Sequence, residues 1–298
     1  MLVSVMKRSK LWNGIEATGF PFEMKVAEEL EKAGWGFLID FPVSVLPDPP
    51  NLPVEETSID FKACQESLFA LIEARRAAYC EWILFRRIST RDFFVLSHHE
   101  DAQRRPGFQF NLRQSPSKGG RNWLHSQSLV RFQTDQGVYS DVISVNSKGE
   151  SKDGGEDQHR NKSEIRKGAR QASAATISAI NDDYAFMEKA DSGVTSPGFG
   201  FLYLPVIVTA AKISVLNLLP DQITDQGTIP KIDEISRSEV PWAIYRWSLP
   251  RSLWLPVFHP QSVVSNHSLL DRHRKLDVFI VSLVHLKKFL EEMKDITE

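Results

Sequence analysis

Two alternating segments separated by a short polar turn constrain this chain more than any other part of it: Ser58-Ile59-Asp60-Phe61-Lys62-Ala63 and Leu68-Phe69-Ala70-Leu71-Ile72-Glu73-Ala74-Arg75. Alternation with a period of two marks a strand with one buried face. Read as a hairpin, the segments put Thr57, Ile59, Phe61 and Ala63 on one face with Ala70, Ile72 and Ala74, a set suited to a core. The other face then carries Ser58, Asp60, Lys62, Leu71, Glu73 and Arg75. With the turn centred between Glu66 and Ser67, Asp60 stands cross-strand from Glu73, β-carbons about 5 Å apart. Two carboxylates so placed repel. A magnesium or manganese ion between them, oxygen-ligated at about 2.1 Å, would remove the repulsion and create a centre able to activate water.

A third carboxylate belongs with them. Pro21 stands at the first position of an expected helix over Phe22 to Ala33, in which Phe22, Val26, Leu30 and Ala33 form one apolar stripe. At about 100° per residue, Glu23 falls inside that stripe, whereas Glu28, Glu29 and Glu31 fall outside it. Burying a lone carboxylate is costly without a cation or a hydrogen-bonding partner, so Glu23 is expected to face something polar beneath the helix. The Asp60 and Glu73 pocket is the candidate.

Taken in order, Thr18-Gly19-Phe20-Pro21-Phe22-Glu23 opening a helix, a strand from Trp35 to Val45, Ile59-Asp60, Leu71-Ile72-Glu73-Ala74-Arg75 and Trp82-Ile83-Leu84-Phe85 resemble the PD-(D/E)xK, restriction-endonuclease-like superfamily. The matching core covers roughly the first 90 residues. The resemblance implies an acid on the first helix (Glu23), a metal-binding Asp on one strand (Asp60), and a paired acid and lysine on the next. That last pair is Glu73 and Arg75 here, so arginine stands at the lysine position. In the family the lysine positions the attacking water and stabilises developing charge. Arginine is always protonated and planar, so it can stabilise charge without being an equivalent point donor.

Two readings of the departure stay open. Lys62, two residues after Asp60 on the same expected face, is placed to bring its ammonium into the space of the missing lysine and preserve catalysis. Alternatively, Arg75 forms an ion pair with Glu73 or Asp60, neutralising the pocket without metal and leaving an inactive binding fold; fold resemblance does not decide chemistry.

The 298 residues, 42% of them hydrophobic, are enough for one large domain or two small ones. Two cysteines, Cys64 and Cys80, cannot build a disulfide framework or a cysteine-rich zinc site. The apolar start, Met1 to Met6, precedes Lys7-Arg8 instead of following a basic segment, so no signal peptide and a cytoplasmic location are expected. The run from Phe201 to Ala211, interrupted by Pro205, is too short to span a bilayer, and no membrane association is expected. A net charge of -2 argues against general polyanion binding, although charge is locally uneven. The segment from Arg86 to Arg121 is basic and interleaved with Phe93, Phe94, Phe108 and Phe110, which suits either stacking on unpaired bases or a small core with solvated arginines. His98-His99-Glu100-Asp101 reads as a solvated loop, because neighbouring residues rarely converge on one ion.

Strand Val138 to Val145, a polar loop over Asn146 to Ser163, a helix from Glu164 to about Lys189 and a buried strand over Phe201 to Thr209 follow. Ile165, Ala169, Ala172, Thr176, Ala179 and Ile180 form that helix's core stripe. Arg166, Lys167 and Arg170 on its first half are candidates for a phosphate backbone or simply keep the helix soluble, and Gln171 is a weaker candidate for the site margin. Ile213 to Leu219 is expected to pair with the Phe201 to Thr209 strand. Ala243 to Leu249 and Asp277 to Ser282 read as further strands and Val284 to Met293 as a closing helix.

The expected fold is α/β: a restriction-endonuclease-like core, a central mixed sheet flanked by helices, with an insertion and a C-terminal extension. The chain reads as a single nuclease-like domain over 1–298, with its core at about 15–88 and 164–220, the insertion at about 89–163 and the extension at about 221–298. The expected function is a metal-dependent nuclease acting on nucleic acid, DNA above all. Asp60, Glu73 and Glu23 would hold Mg2+ or Mn2+, and Lys62 or Arg75 would stabilise the transition state. The alternatives are a non-catalytic nucleic-acid-binding or scaffold protein of the same fold, or a globular protein whose acids form only structural ion pairs.

Overall fold

A computed structural model of the chain describes residues 19–45, 55–77, 80–88, 91–99, 109–116, 124–146, 164–189, 200–217, 220–222, 224–226, 236–249 and 275–297. Among the described residues the protein is α/β, built on one large mixed sheet of thirteen strands. Helix α1 (Phe20–Lys32) starts after Gly19, whose backbone is left-handed (φ 81°), and buries Phe22, Val26 and Leu30 on the stripe that the spacing dictates.

Strands β1 (Gly36–Val45), β2 (Glu55–Gln65) and β3 (Leu68–Arg75) form an antiparallel meander. The β2–β3 register follows from the alternation: Phe61 opposes Ile72, Ala63 opposes Ala70 and Gln65 opposes Leu68, so the turn is Glu66-Ser67, with Glu66 at φ 54°. Helix α2 (Glu164–Lys189) buries Ile165, Ala169, Ala172, Thr176, Ala179 and Ile180 against the sheet. Strand β9 (Gly200–Thr209) then runs parallel to β3 along that strand's whole length.

The segments expected to be an insertion and an extension weave into the same sheet. Strands β4 (Cys80–Arg87) and β8 (Val138–Asn146) pair antiparallel. Strand β12 (Trp242–Ser248) joins β8, and β13 (Lys275–Ser282) fills the slot between β12 and β9. These segments supply β8, β12 and β13 to the middle of the sheet. Strands β5 (Asp92–His99), β6 (Gln109–Pro116) and β7 (Leu124–Gln133) form a branch that joins the N-terminal half of β9. One edge of β9 is thus shared by β13 and β5 while β3 occupies the other. This is why β10 (Lys212–Leu216) does not pair with β9 as expected: both edges are taken, and β10 pairs instead with β4 and the short β11 (Arg237–Glu239).

Two apolar layers enclose the sheet. On one face, α1 and helix α3 (Leu286–Thr297) share a cluster with Phe61, Ile72, Val206 and Phe279. On the other, α2 packs its small residues onto Leu71, Leu96 and Tyr203. Gly168 permits this close approach, because a β-carbon there would come within 3.1 Å of Ile207. Phe93 is fully buried against Phe132 and Phe279 and Phe94 is half-buried, so these two aromatics belong to the core. Among the described residues no helix is long and apolar enough to cross a membrane. The loop expected over Asn146 to Ser163 lies outside the described residues beyond Asn146, as do Phe108, Glu100 and Asp101.

Candidate acidic site

The site forms where β2 parts from both neighbours. Its ladder with β3 ends at Phe61 and Ile72, and its ladder with β1 skips one step, between the Ile39–Phe61 and Phe41–Ile59 pairs. Asp60 sits at that gap. Its Oδ2 accepts a hydrogen bond from the backbone N–H of Ala74 at 2.6 Å, so a side chain satisfies a strand donor where the regular ladder has ended. Glu73 precedes Ala74 and faces α2; it is only 4% exposed.

Arg75, two residues further along the same face, turns back onto Glu73, with Nη2 2.7 Å from Oε1. Its guanidinium also donates to the side-chain oxygen of Gln171 on α2, and its Nη1 lies 3.4 Å from Oε2 of Glu164 in the first turn of that helix. The pairing is incomplete: Glu73 Oε2 and Arg75 Nε are both buried without a hydrogen-bond partner.

Electrostatics bind the acids into one group. Burial, then Asp60 and Glu23, push the Glu73 carboxyl up to about 8, against the pull of Arg75. Asp60 is raised mainly by burial and also by Asp40, while the Ala74 N–H and Arg75 pull it down. Glu23, half-buried on α1, is raised by burial, Asp60 and Asp40. The helix acid singled out by its stripe position therefore lies within the field of the sheet acids. Gly19 lies against it, since a β-carbon there would sit 3.2 Å from Glu23 Oε1.

Lys62 goes elsewhere. Its Nζ lies 3.2 Å from Asp183 on the last turns of α2 and over the rings of Phe41 and Phe69, at 4.8 and 5.2 Å from their centroids. Tyr203 donates to the same aspartate at 2.8 Å. The lysine shares the expected face of β2, but an acid and an aromatic pair draw its ammonium toward the far end of α2. The cation beside Glu73 is Arg75. Arg166, Lys167 and Arg170 lie exposed on α2 near the Glu164 end, with Lys167 3.4 Å from Glu164.

Among the described residues, no three His, Cys, Asp or Glu side chains converge tightly enough to cage a metal ion. Mg2+ commonly keeps several waters and takes one or two carboxylates plus substrate oxygens, so a tight cage is not required for it. A cation would suit this donor set: hard carboxylate oxygens, one of them buried and unpartnered, outnumber the one guanidinium among them.

Asp40 was not among the residues that the hairpin pattern singled out, because that pattern concerned β2 and β3 only. A lone Asp amid Phe37, Leu38, Ile39 and Phe41 was the available signal. Glu164 and Asp183 gave none, since an acid on a helix surface is commonplace. No family model, no curated protein and no solved structure matches this chain.

Proposed function

We propose that the chain is a metal-dependent, nuclease-like protein of the PD-(D/E)xK type, acting on nucleic-acid phosphodiesters, DNA above all. The carrying observation is the junction of Asp60 and Glu73: two carboxylates at the point where β2 parts from β3, with Glu23 of α1 in their field. The order of elements supports the same reading. The resemblance implies an initial helix followed by strand, strand, helix and strand, and α1, the β1–β3 meander and, after β4 to β8, α2 and β9 contain that order.

Asp60 and Glu73 would hold Mg2+ or Mn2+, with Glu23 orienting it or a water. When bound, the ion supplies a water of lowered pKa and a positive charge on the phosphoryl oxygens. Arg75, anchored between Glu73 and Gln171, would present its guanidinium to an anionic transition state, and the exposed Arg166, Lys167 and Arg170 would contact the nucleic-acid backbone. The test is cleavage of single- and double-stranded DNA with Mg2+ or Mn2+. Asp60→Asn should abolish it, and Arg75→Ala should lower the rate by about two orders of magnitude or more.

One observation favours the second reading, a nucleic-acid-binding or scaffold protein without catalysis. Arg75 already neutralises Glu73, and the Lys62 ammonium is engaged by Asp183. In that case the wild type binds DNA without cleaving it under either metal, and Arg75→Lys restores a trace of cleavage.

A further inference from the structure

The stem of Arg75 passes α2 at a gap left by a glycine. Glu164, Gly168 and Gln171 stand at i, i+4 and i+7 on one face of that helix, beside the core stripe that begins at Ile165. The outer two are acceptors: Gln171 Oε1 receives Nη2 of Arg75, and Glu164 Oε2 lies 3.4 Å from Nη1. The middle one is buried and leaves room. A β-carbon on Gly168 would stand 3.6 Å from Arg75 Cγ and 3.1 Å from Ile207 Cδ1, so any longer side chain there would push the arginine stem away from the helix. Glu73, 2.7 Å from Nη2, holds the guanidinium from the sheet.

This arrangement suits arginine and not lysine. A planar fork can give Nη2 to Glu73 and Gln171 together and turn Nη1 toward Glu164, whereas an ammonium is a single point charge on a flexible stem. Gln171 is also an acceptor without charge. An acid at that position would compete with Glu73 for the guanidinium, while the amide holds it and leaves Glu73 the nearer of its two carboxylates.

We propose that Gln171 is a positioning residue of this site, the part of a Glu164, Gly168 and Gln171 cradle on α2 that fixes the Arg75 guanidinium and makes arginine, rather than lysine, the cation required at position 75. The chemistry assigned to that cation rests on the nuclease-like reading above; the cradle itself does not. A loosened guanidinium costs rate rather than binding, because a group displaced from the reacting centre no longer meets the charge it stabilises. On that reading Arg75→Lys lowers cleavage, the opposite of the gain expected from a degenerate pocket.

The experiment has two arms, both on the full chain. In the first, NMR with isotope-labelled arginine reads the guanidinium signals: those of Arg75 are assigned by their loss in Arg75→Lys, and those of Arg246, hydrogen-bonded at Nε and Nη2, report that the protein is folded. The wild type should show resolved, slowly exchanging Nη signals for Arg75. Gln171→Ala should collapse them to an averaged signal while those of Arg246 stay unchanged, and Gln171→Glu, which keeps an acceptor oxygen, should retain them. In the second arm, DNA cleavage with Mn2+ by Gln171→Ala should lose about tenfold or more in kcat with KM unchanged, and Gln171→Ala should cost nothing further once Arg75 is replaced by lysine. Averaged Arg75 signals in the wild type, signals unmoved by Gln171→Ala, an unchanged kcat in that variant, or a full further loss in the double variant overturn the inference. A wild type with the expected resonances and no cleavage overturns the nuclease-like reading and leaves the cradle standing.

Discussion

Arg246–Asp277 and Arg75–Glu73 are both buried arginine–carboxylate pairs of one sheet, yet only the first is fully hydrogen-bonded. Asp277, 1% exposed on β13, receives Nε and Nη2 of Arg246 on its two oxygens at 2.7 and 2.8 Å, and the backbone N–H of Phe94 donates to Oδ2 at 2.7 Å. Arg246 donates further to the carbonyl of Asp92 at 2.8 Å. The pair ties β12 and β13 to β5 at the fork of the sheet. Glu73 has one contact from Arg75 and an oxygen left over, in the company of three more acids. A buried pair with its hydrogen bonds made is a structural joint, whereas one left short is poised to take something up.

The largest expected effect breaks the joint. Asp277→Ala strands Arg246 in the interior and should cost about 3–5 kcal/mol in chemical denaturation. A loss below about 1 kcal/mol would erase the distinction between the two pairs.

The second prediction concerns Glu73 and pH. Its carboxyl holds a proton up to about 8 in the folded protein against 4.5 ordinarily, so between those values the folded state binds more protons than the unfolded. Stability from this group is complete below pH 4.5 and is lost as pH rises through 8. Glu73→Gln cannot ionise, so its stability relative to wild type should rise by about 3 kcal/mol from pH 5 to pH 8, read by urea melts. Parallel profiles for the two proteins would show that Arg75 satisfies Glu73 after all.

Third, Mn2+ at a hundredfold its dissociation constant should stabilise the wild type by about 2.7 kcal/mol. At a fixed Mn2+ concentration the gain should be greater at pH 8 than at pH 6, because the ion competes with the proton on Glu73, and chelation should remove it. Arg246 and Asp277 offer no free oxygen, so Arg246→Lys should leave the gain unchanged. The smallest effect is at Lys62. Lys62→Met should cost about 1 kcal/mol through its lost contacts with Phe41, Phe69 and Asp183 and, on the nuclease reading, leave cleavage at the wild-type rate. Abolished cleavage would return Lys62 to the chemistry.

The hairpin register was legible from the alternation and the two-residue turn, but the shared face was not kept along β2: Phe61 and Ala63 pack in the α1 layer and Ile59 in the α2 layer, so the face changes at Asp60, where both ladders are interrupted. Helix α1 was legible through its stripe, which also placed Glu23. The centre of the sheet was not, because hydrophobic runs such as Phe201 to Thr209 specify burial and not neighbours; nothing in them says that β13 and not β10 lies beside β9. The destination of Lys62 was hidden for a related reason. A long flexible stem reaches in any direction from its strand, and Asp183 comes from 121 residues away. Asp277 could have been suspected as the one acid among Leu276, Val278, Phe279 and Ile280, since a carboxylate there must find a cation.

The slot occupied by β13 has a consequence for the order in which the chain can assemble. Its neighbours β9 and β12 are synthesised before it, and residues 275–282 must enter between them to close the sheet. Until they do, β9 and β12 face each other across a gap with open edges, and the Arg246 guanidinium lacks its carboxylate. Assembly cannot be completed strand by strand from the N-terminus, and contacts of such long sequence separation form slowly. A ribosome-bound chain that has not yet released β13 presents two open strand edges, the kind of surface that pairs with other chains.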